Sequence, residues 1–333
     1  MAIYVDKNRK IKNIFVNVNG EKKSISSAWV NSGSVPTKVF QSNNKSNSSE
    51  SDSYEIAPEN ECNNWNYNLD DNNNTIILCS YKGSETDVIV YANYKVNGKM
   101  YKTELWSNPS DIGHLYSFMF NSTISSLGIQ NDRNKKIETI TFSDGLDTRS
   151  CTSMQYMFAG CTGLKSINFG ANFDTSNVTN ILYMFSKCSS LTEIKGLENF
   201  DTSNVIYTNN LFHYCSSLTS LDLRNFDTSK MYQIGSLFEG CSSLTEIKGL
   251  ENFDTSNANA ISSLFRDCSS LTSLDLCSFD TRKMKYMNSV FRDCSNLKTI
   301  YVTKGKWVTS QAEAQGEARY MFTGCGTSSV TYK

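Results

Sequence analysis

Two residue types recur at an interval that would suit chemistry. Cysteine stands at Cys161, Cys188, Cys215, Cys241, Cys268 and Cys294, and aspartate at Asp174, Asp201, Asp227, Asp254 and Asp280. Thiolates in a row would make a ladder of zinc or disulfide sites, and carboxylates in a row would hold calcium. Their neighbours argue otherwise. The chain has no Cys-x-x-Cys pair and no paired histidines, the spacings that tetrahedral zinc needs. Six cysteines close an apolar stripe at equivalent positions, so they read as buried free thiols filling space as small hydrophobes. Each aspartate precedes a threonine and an apolar run, where a short side-chain oxygen caps a helix start. The run Asp70-Asp71-Asn72-Asn73-Asn74 lacks the glycine and closing glutamate of a calcium loop. His114 and His213, the two histidines, have no Ser or Cys partner in a triad-like placement, and no glycine-rich phosphate loop occurs. The expectation is no catalytic residue, no metal, no cofactor and no enzyme. Cys62 and Cys79 lie outside the row, and nothing in the sequence says whether they pair.

What positions those residues is a repeat. Phe-Asp-Thr recurs at Phe173, Phe200, Phe226, Phe253 and Phe279, after a degenerate Leu146-Asp147-Thr148. Twelve residues after each stands a second phenylalanine: Phe158, Phe185, Phe212, Phe238, Phe265 and Phe291. The cysteine follows three residues later, and after three more comes Leu164, Leu191, Leu218, Leu244, Leu271 or Leu297. A period of 26 to 27 residues marks a solenoid, whose units bury their apolar faces only against their neighbours. Within a unit, Leu221 and Leu223 alternate with polar residues as in a half-buried strand. Met231, Ile234, Leu237, Phe238 and Cys241 then follow the stripe of a three-turn helix. Strands joined this way are parallel, with right-handed crossovers. Two unit lengths alternate, and the longer carries Gly196 or Gly249, expected in a small bulge. Cys188 to Cys241 and Cys215 to Cys268 are both 53 apart, the mark of a duplicated two-unit block.

The Leu-x-x-Leu-x-Leu core resembles leucine-rich repeats. The fuller string, clearest at Cys215–Met231 and Cys268–Met284, resembles the BspA-like surface proteins of bacteria and their mycoplasmal lipoprotein relatives. That likeness covers roughly residues 62–325 and implies non-enzymatic adhesion or partner binding. The fold class is accordingly α/β: a right-handed leucine-rich-repeat solenoid with a parallel sheet on one face and short helices on the other. It would carry a β-rich N-terminal cap and a small separate N-terminal β domain.

The ends are organised differently. Residues 1–41 hold strand-like runs, with Phe15-Val16-Asn17 echoed by Trp29-Val30-Asn31 and an Asn19-Gly20 hairpin turn. This piece resembles the short hairpin units of phage and prophage tail- or fibre-associated proteins, and is read as an attachment domain. Residues 42–53 contain no apolar residue and read as a flexible linker. A β-rich cap spans 54–118, the leucine-rich repeats 119–302 and a C-terminal cap 303–333. Within the repeats, the first unit has Asn134 at its cysteine position, and about eleven residues are inserted after Phe120. The net charge is −1, which favours neither nucleic acid nor a membrane surface. No apolar run is long enough to span a bilayer, and the first residues do not read as a signal peptide.

Outward-facing positions are the remaining candidates for function. On the strand face these are Lys165, Asn168, Glu193, Lys195, Ser220, Asp222, Glu246, Lys248, Ser273, Asp275 and Tyr301, with Lys195, Asp222, Lys248 and Asp275 expected side by side in alternating sign. A second candidate surface follows each core phenylalanine: Lys187, His213, Tyr214, Arg266 and Arg292. The expected partner is a protein or glycan on a bacterial or host cell surface, with residues 1–41 available for virion attachment or self-association. The leading expectation is a phage or prophage virion fibre, located on the virion or outside the cell. The alternative is a BspA-like adhesin at a bacterial cell surface.

Overall fold

The computed structural model describes residues 14–18, 21–25, 27–31, 36–41, 56–105 and 136–333. The linker expected at 42–53, His114, Asn134, the Asn19-Gly20 turn and the insertion after Phe120 lie outside these residues. Two compact units are formed, Met1–Asp52 and Ser53–Lys333. In the first, β1 (Ile14–Val18) pairs antiparallel with β2 (Glu21–Ile25), and β3 (Ser27–Asn31) with β4 (Pro36–Gln41).

The second unit opens with strands β5 (Trp65–Asp70), β6 (Thr75–Tyr81), β7 (Asp87–Val90), β8 (Asn93–Val96) and β9 (Lys99–Leu105). Four of these make one sheet in the order β5-β6-β9-β8, with Trp65 and Tyr94 buried beneath it. The fifth, β7, leaves that sheet and runs parallel to β10 (Thr139–Phe142), with Val88 opposite Ile140. The cap thereby covers the edge of the first repeat strand, which would otherwise present unpaired backbone groups.

From β10 onward the chain is a parallel β-solenoid. Its rungs are β11 (Ser166–Asn168), β12 (Glu193–Lys195), β13 (Ser220–Asp222), β14 (Glu246–Lys248), β15 (Ser273–Asp275), β16 (Thr299–Val302) and the closing β17 (Thr331–Tyr332). The repeat leucines and both phenylalanine columns point inward, as their invariance requires. Phe158, Phe185, Phe212, Phe238, Phe265 and Phe291 lie nearly parallel, with successive centroids 5.4, 5.4, 6.1, 5.6 and 6.0 Å apart. Trp307 and Phe322 cover the last ring of the column, at 6.0 and 5.6 Å from Phe291.

The segments read as three-turn helices take another form. Among the described residues the one α-helix is α1 (Ser310–Ala314), in the C-terminal cap. In the repeats, alternate N–H groups leave the coil for the next one. Met154, Tyr156, Phe158 and Gly160 donate to the carbonyls of Asn180, Leu182, Met184 and Ser186 at 2.8–2.9 Å. N–H groups between them close turns within the coil, as Met157 does on Met154 and Ala159 on Tyr156. The turn segment of each coil holds two left-handed residues, such as Tyr183 and Lys187 at φ 56° and 61° or Asn210 and Tyr214 at 62° and 55°. A left-handed residue every few positions forbids a helix and costs about 1–2 kcal/mol, which the inter-coil hydrogen bonds offset.

The expected bulge is also different in kind. Gly196 and Gly249 sit at φ 88° and 96° and start one turn of 3-10 helix, Leu197–Asn199 and Leu250–Asn252. They mark breaks in the strand ladder, since β12 pairs with β11 but not β13, and β14 with β13 but not β15. The duplicated two-unit block is therefore visible as a sheet that pauses after every Glu-Ile-Lys strand.

Candidate functional site

The periodic residues prove to be fastenings between coils. Cys188, Cys215, Cys241, Cys268 and Cys294 are fully buried. Their thiols donate to the carbonyls of Phe158, Phe185, Phe212, Phe238 and Phe265, at 3.1, 3.1, 3.1, 3.0 and 2.8 Å. Burial pushes the thiols of Cys161 and Cys241 up to about 12, so they stay protonated and unreactive. The threonine of each Phe-Asp-Thr is equally committed. Thr228 Oγ donates to the Asp254 carbonyl at 3.1 Å and accepts the Asp254 N–H at 2.8 Å. Thr148, Thr175, Thr202 and Thr255 do the same for the coils that follow them.

The repeated aspartates cap a turn and not a helix. Asp174, Asp201, Asp227, Asp254 and Asp280 each accept the N–H two residues ahead, at 2.8–3.1 Å. Hydrogen bonding from Ser203 and Ser229 lowers the carboxyls of Asp201 and Asp227, as expected for a charged acceptor. Among the described residues no three His, Cys, Asp or Glu side chains are grouped to hold a metal. Cys62 and Cys79 are both free thiols.

Both predicted faces of the coil are exposed. On the strand face the predicted residues are present, but their charges close locally. Lys195 bonds Glu193 of its own strand at 3.3 Å, and Lys248 bonds Glu246 at 3.6 Å. Arg224 clamps Asp222 at 2.5 Å and, through that hydrogen bond, holds its carboxyl down at about 2. Lys165 reaches Glu138 of the preceding coil at 2.7 Å. Asp275 takes Lys333 at 2.8 Å, and the same ammonium lies 3.8 Å over the Tyr301 ring. Asn168 accepts the Gly170 N–H at 3.1 Å, while Ser220 and Ser273 stand opposite Glu246 and Thr299. Of the expected alternating row, only Asp222 and Lys248 share a register. Neither Lys195 and Asp222 nor Lys248 and Asp275 are strand partners, because β12 does not pair with β13 nor β14 with β15.

The second predicted surface is a mixed column. Ser186 Oγ lies 3.1 Å from His213 Nδ1, and the His213 ring meets Tyr214 edge-on at 4.5 Å. Burial first, then Lys187 and Arg266, lowers His213 to about 4, so it is neutral at ordinary pH. Arg266 bonds Glu239 at 3.4 Å, and Arg292 bonds Asp293 at 3.1 Å beneath Tyr320. Lys187 is exposed, its backbone N–H bonded to the His213 carbonyl at 2.6 Å.

A third surface was not foreseen. Opposite the strands runs a second parallel ladder of single bridges, through Ser153, Asn180, Tyr207, Gln233, Ala260 and Tyr286. On it Tyr207, Tyr232 and Tyr286 are 50, 48 and 43 % exposed, with Ile206 beside them, too much apolar ring to be incidental on one strip. Comparing equivalent positions would have found them: Thr179, Ile206, Tyr232, Asn259 and Lys285 form one column, and Asn180, Tyr207, Gln233, Ala260 and Tyr286 the next. Both vary from coil to coil, as binding positions do. They were passed over because they fall inside the stripe read as helix.

Comparison with known proteins bears on the coils. The family model described as "Mycoplasma protein of unknown function, DUF285" matches residues 130–245 and 215–331, together more than half of the chain. Among solved structures, a leucine-rich cell surface protein from Faecalibacterium prausnitzii is 18 % identical over 72 % of this chain, with a TM-score of 0.45. The chain spans 53 % of that protein. A leucine-rich-repeat protein of T. pallidum is 16 % identical over 80 % of this chain and 100 % of its own, with a TM-score of 0.35. No curated protein matches.

Proposed function

This chain belongs to the family described as Mycoplasma protein of unknown function, DUF285, and from that premise we propose that it is a non-enzymatic recognition protein displayed at a bacterial surface, an adhesin of the BspA-like type. One observation carries the reading: the division of labour between invariant and variable positions. Cysteine, threonine and phenylalanine recur unchanged because each fastens one coil to the next. Among the solvent-facing positions, one column changes type at each step, through Thr179, Ile206, Tyr232, Asn259 and Lys285, while the backbone stays the same. A scaffold held rigid and a surface free to vary is the arrangement a solenoid offers a partner. The likeness of the repeat string to BspA-like surface proteins supports the location.

The test is binding of the labelled full chain to intact bacterial and host cells. Saturable binding that unlabelled chain displaces is the expected result; no saturable binding to any cell overturns the reading. A virion fibre is the second reading, favoured by the hairpins β1–β2 and β3–β4. Co-sedimentation of the protein with phage particles would bring that reading to the front.

A further inference from the structure

We propose that the ladder opposite the strands, centred on Tyr207, Tyr232 and Asn259, is a binding site for an uncharged polysaccharide; this rests on the recognition reading above and names its ligand class. Three observations point there. The first is the rings. Tyr207 and Tyr232 lie on adjacent coils, the Tyr232 N–H donating to the Ile206 carbonyl at 3.2 Å, and Tyr286 follows Tyr207 in the bridge register at the third step, through Gln233 and Ala260. At the usual spacing of parallel strands, three steps are about 14 Å, the reach of a short run of sugar rings. Sugar rings present C–H faces that stack on exposed aromatic rings.

The second observation is the set of polar groups around the rings. They are amides, Gln233 and Asn259 between the rings and Asn180, Asn209 and Asn288 beside them. An amide both donates and accepts, which suits a hydroxyl that does the same. Asn180 donates to Gln155 at 2.9 Å, and Asn209 to Gln233 at 3.3 Å, so they are held in place with further capacity left. Asn259 donates to the Tyr232 hydroxyl at 2.7 Å, and its own Oδ1 is buried without a hydrogen-bond partner. That Oδ1 is sealed from solvent, so what this amide offers a ligand is a Tyr232 ring held in place.

The third is charge. The two columns named above contain one charged side chain, Lys285. The carboxylate of Glu317 adjoins them through Asn288. A charged polymer or a charged protein epitope would lose its water without compensation on such a surface, whereas a neutral glycan loses nothing of that kind.

The experiment is affinity electrophoresis of the full chain through gels containing dextran, mannan, galactomannan or xylan, with heparin and alginate as charged comparisons. Retardation by at least one neutral polysaccharide is expected. It should weaken at least about tenfold in the Tyr207→Ala/Tyr232→Ala variant and persist in Tyr207→Phe/Tyr232→Phe, which keeps the rings. No retardation by any of the neutral polymers, or equal retardation of wild type and alanine variant, overturns the site. Unfolding curves of both variants that match wild type are the control that the exposed substitutions leave the coil intact. The cell assay separates the two readings. Wild-type binding to cells that the alanine variant retains refutes the glycan site and leaves the recognition reading standing. Binding lost on protease treatment of the cells but not on periodate treatment assigns the ladder to a protein partner and also refutes it.

Discussion

The strand face and the bridge face belong to the same coils, yet they dispose of their polar groups in opposite ways. On the strand face, Lys195 and Lys248 each find a glutamate two residues away, and Asp222 is clamped by Arg224. On the bridge face, Tyr207, Tyr232 and Tyr286 stand exposed among amides, and Asn259 keeps an unmet acceptor. The difference teaches that a face dense in charge is not for that reason free to bind, because its charges already hold one another. Exposed ion pairs at such distances are worth little, but they occupy one another, and a partner must displace them. The exposed rings of Tyr207, Tyr232 and Tyr286 hold no ion pair that a partner would have to displace.

The contrast is breakable from its foundation upward. Both faces depend on the buried threonine column, so Thr228→Val should have the largest effect. It strands the N–H and C=O of Asp254 at once, and an equilibrium denaturation curve should show a loss of about 2–4 kcal/mol. A loss under about 1 kcal/mol would mean that the coils are fastened elsewhere. Gly249→Ala comes next, at about 2–3 kcal/mol for its left-handed conformation and the contact with the preceding coil. A Cβ there would lie 2.6 Å from the Leu223 carbonyl carbon and the Arg224 nitrogen, whereas at Gly196 its nearest neighbour is the Phe169 Cβ, at 3.0 Å. Gly196→Ala should therefore cost less, and the reverse order would show that the close backbone approach at Gly249 does not set its cost.

A smaller effect sharpens the boundary between the faces. His213 is neutral in the fold down to about pH 4, while the unfolded chain takes up its proton near the ordinary histidine pKa of about 6.5. The unfolded state thus binds more protons between these values, and stability contributed by the neutral ring, complete above the ordinary pKa, falls as pH drops toward 4. Denaturation curves at pH 7.5 and 4.5 should show a smaller difference for His213→Gln than for wild type. An unchanged difference would place the His213 ring in open water. The smallest effect belongs to the strand-face lysines. Lys195→Gln and Lys248→Gln should each shift stability by no more than about 0.5 kcal/mol and leave cell binding intact. Loss of cell binding in either would return the strand face to first place and reverse the contrast.

Much of the fold was legible in the sequence because the repeat aligns the protein with itself. Cys215, Phe212 and Leu218 are invariant across coils, and all are buried. The alternating unit lengths correctly located the irregularity at Gly196 and Gly249. The helix was misread for a definite reason. Met231, Ile234, Leu237, Phe238 and Cys241 fit a helical stripe, but they fit equally a chain of turns whose inward positions recur at similar spacing. What decides between them is the backbone at Ser236 and Gly240, at φ 54° and 75°, and no side-chain pattern announces a left-handed serine. The error had a cost downstream, since Tyr207 and Tyr232 sat inside the supposed helix and were never compared as a surface.

Periodic residue identity alone determined that this protein is a stack, which columns are hidden, and how long each coil must be, because a buried position repeated in every unit tolerates few side chains. Only the tertiary structure decided what the rest of each coil does with its backbone. An N–H that can close a turn on its own chain or cross to the next coil is the same group in the sequence, and the choice is made by a neighbour that exists only once the stack has formed.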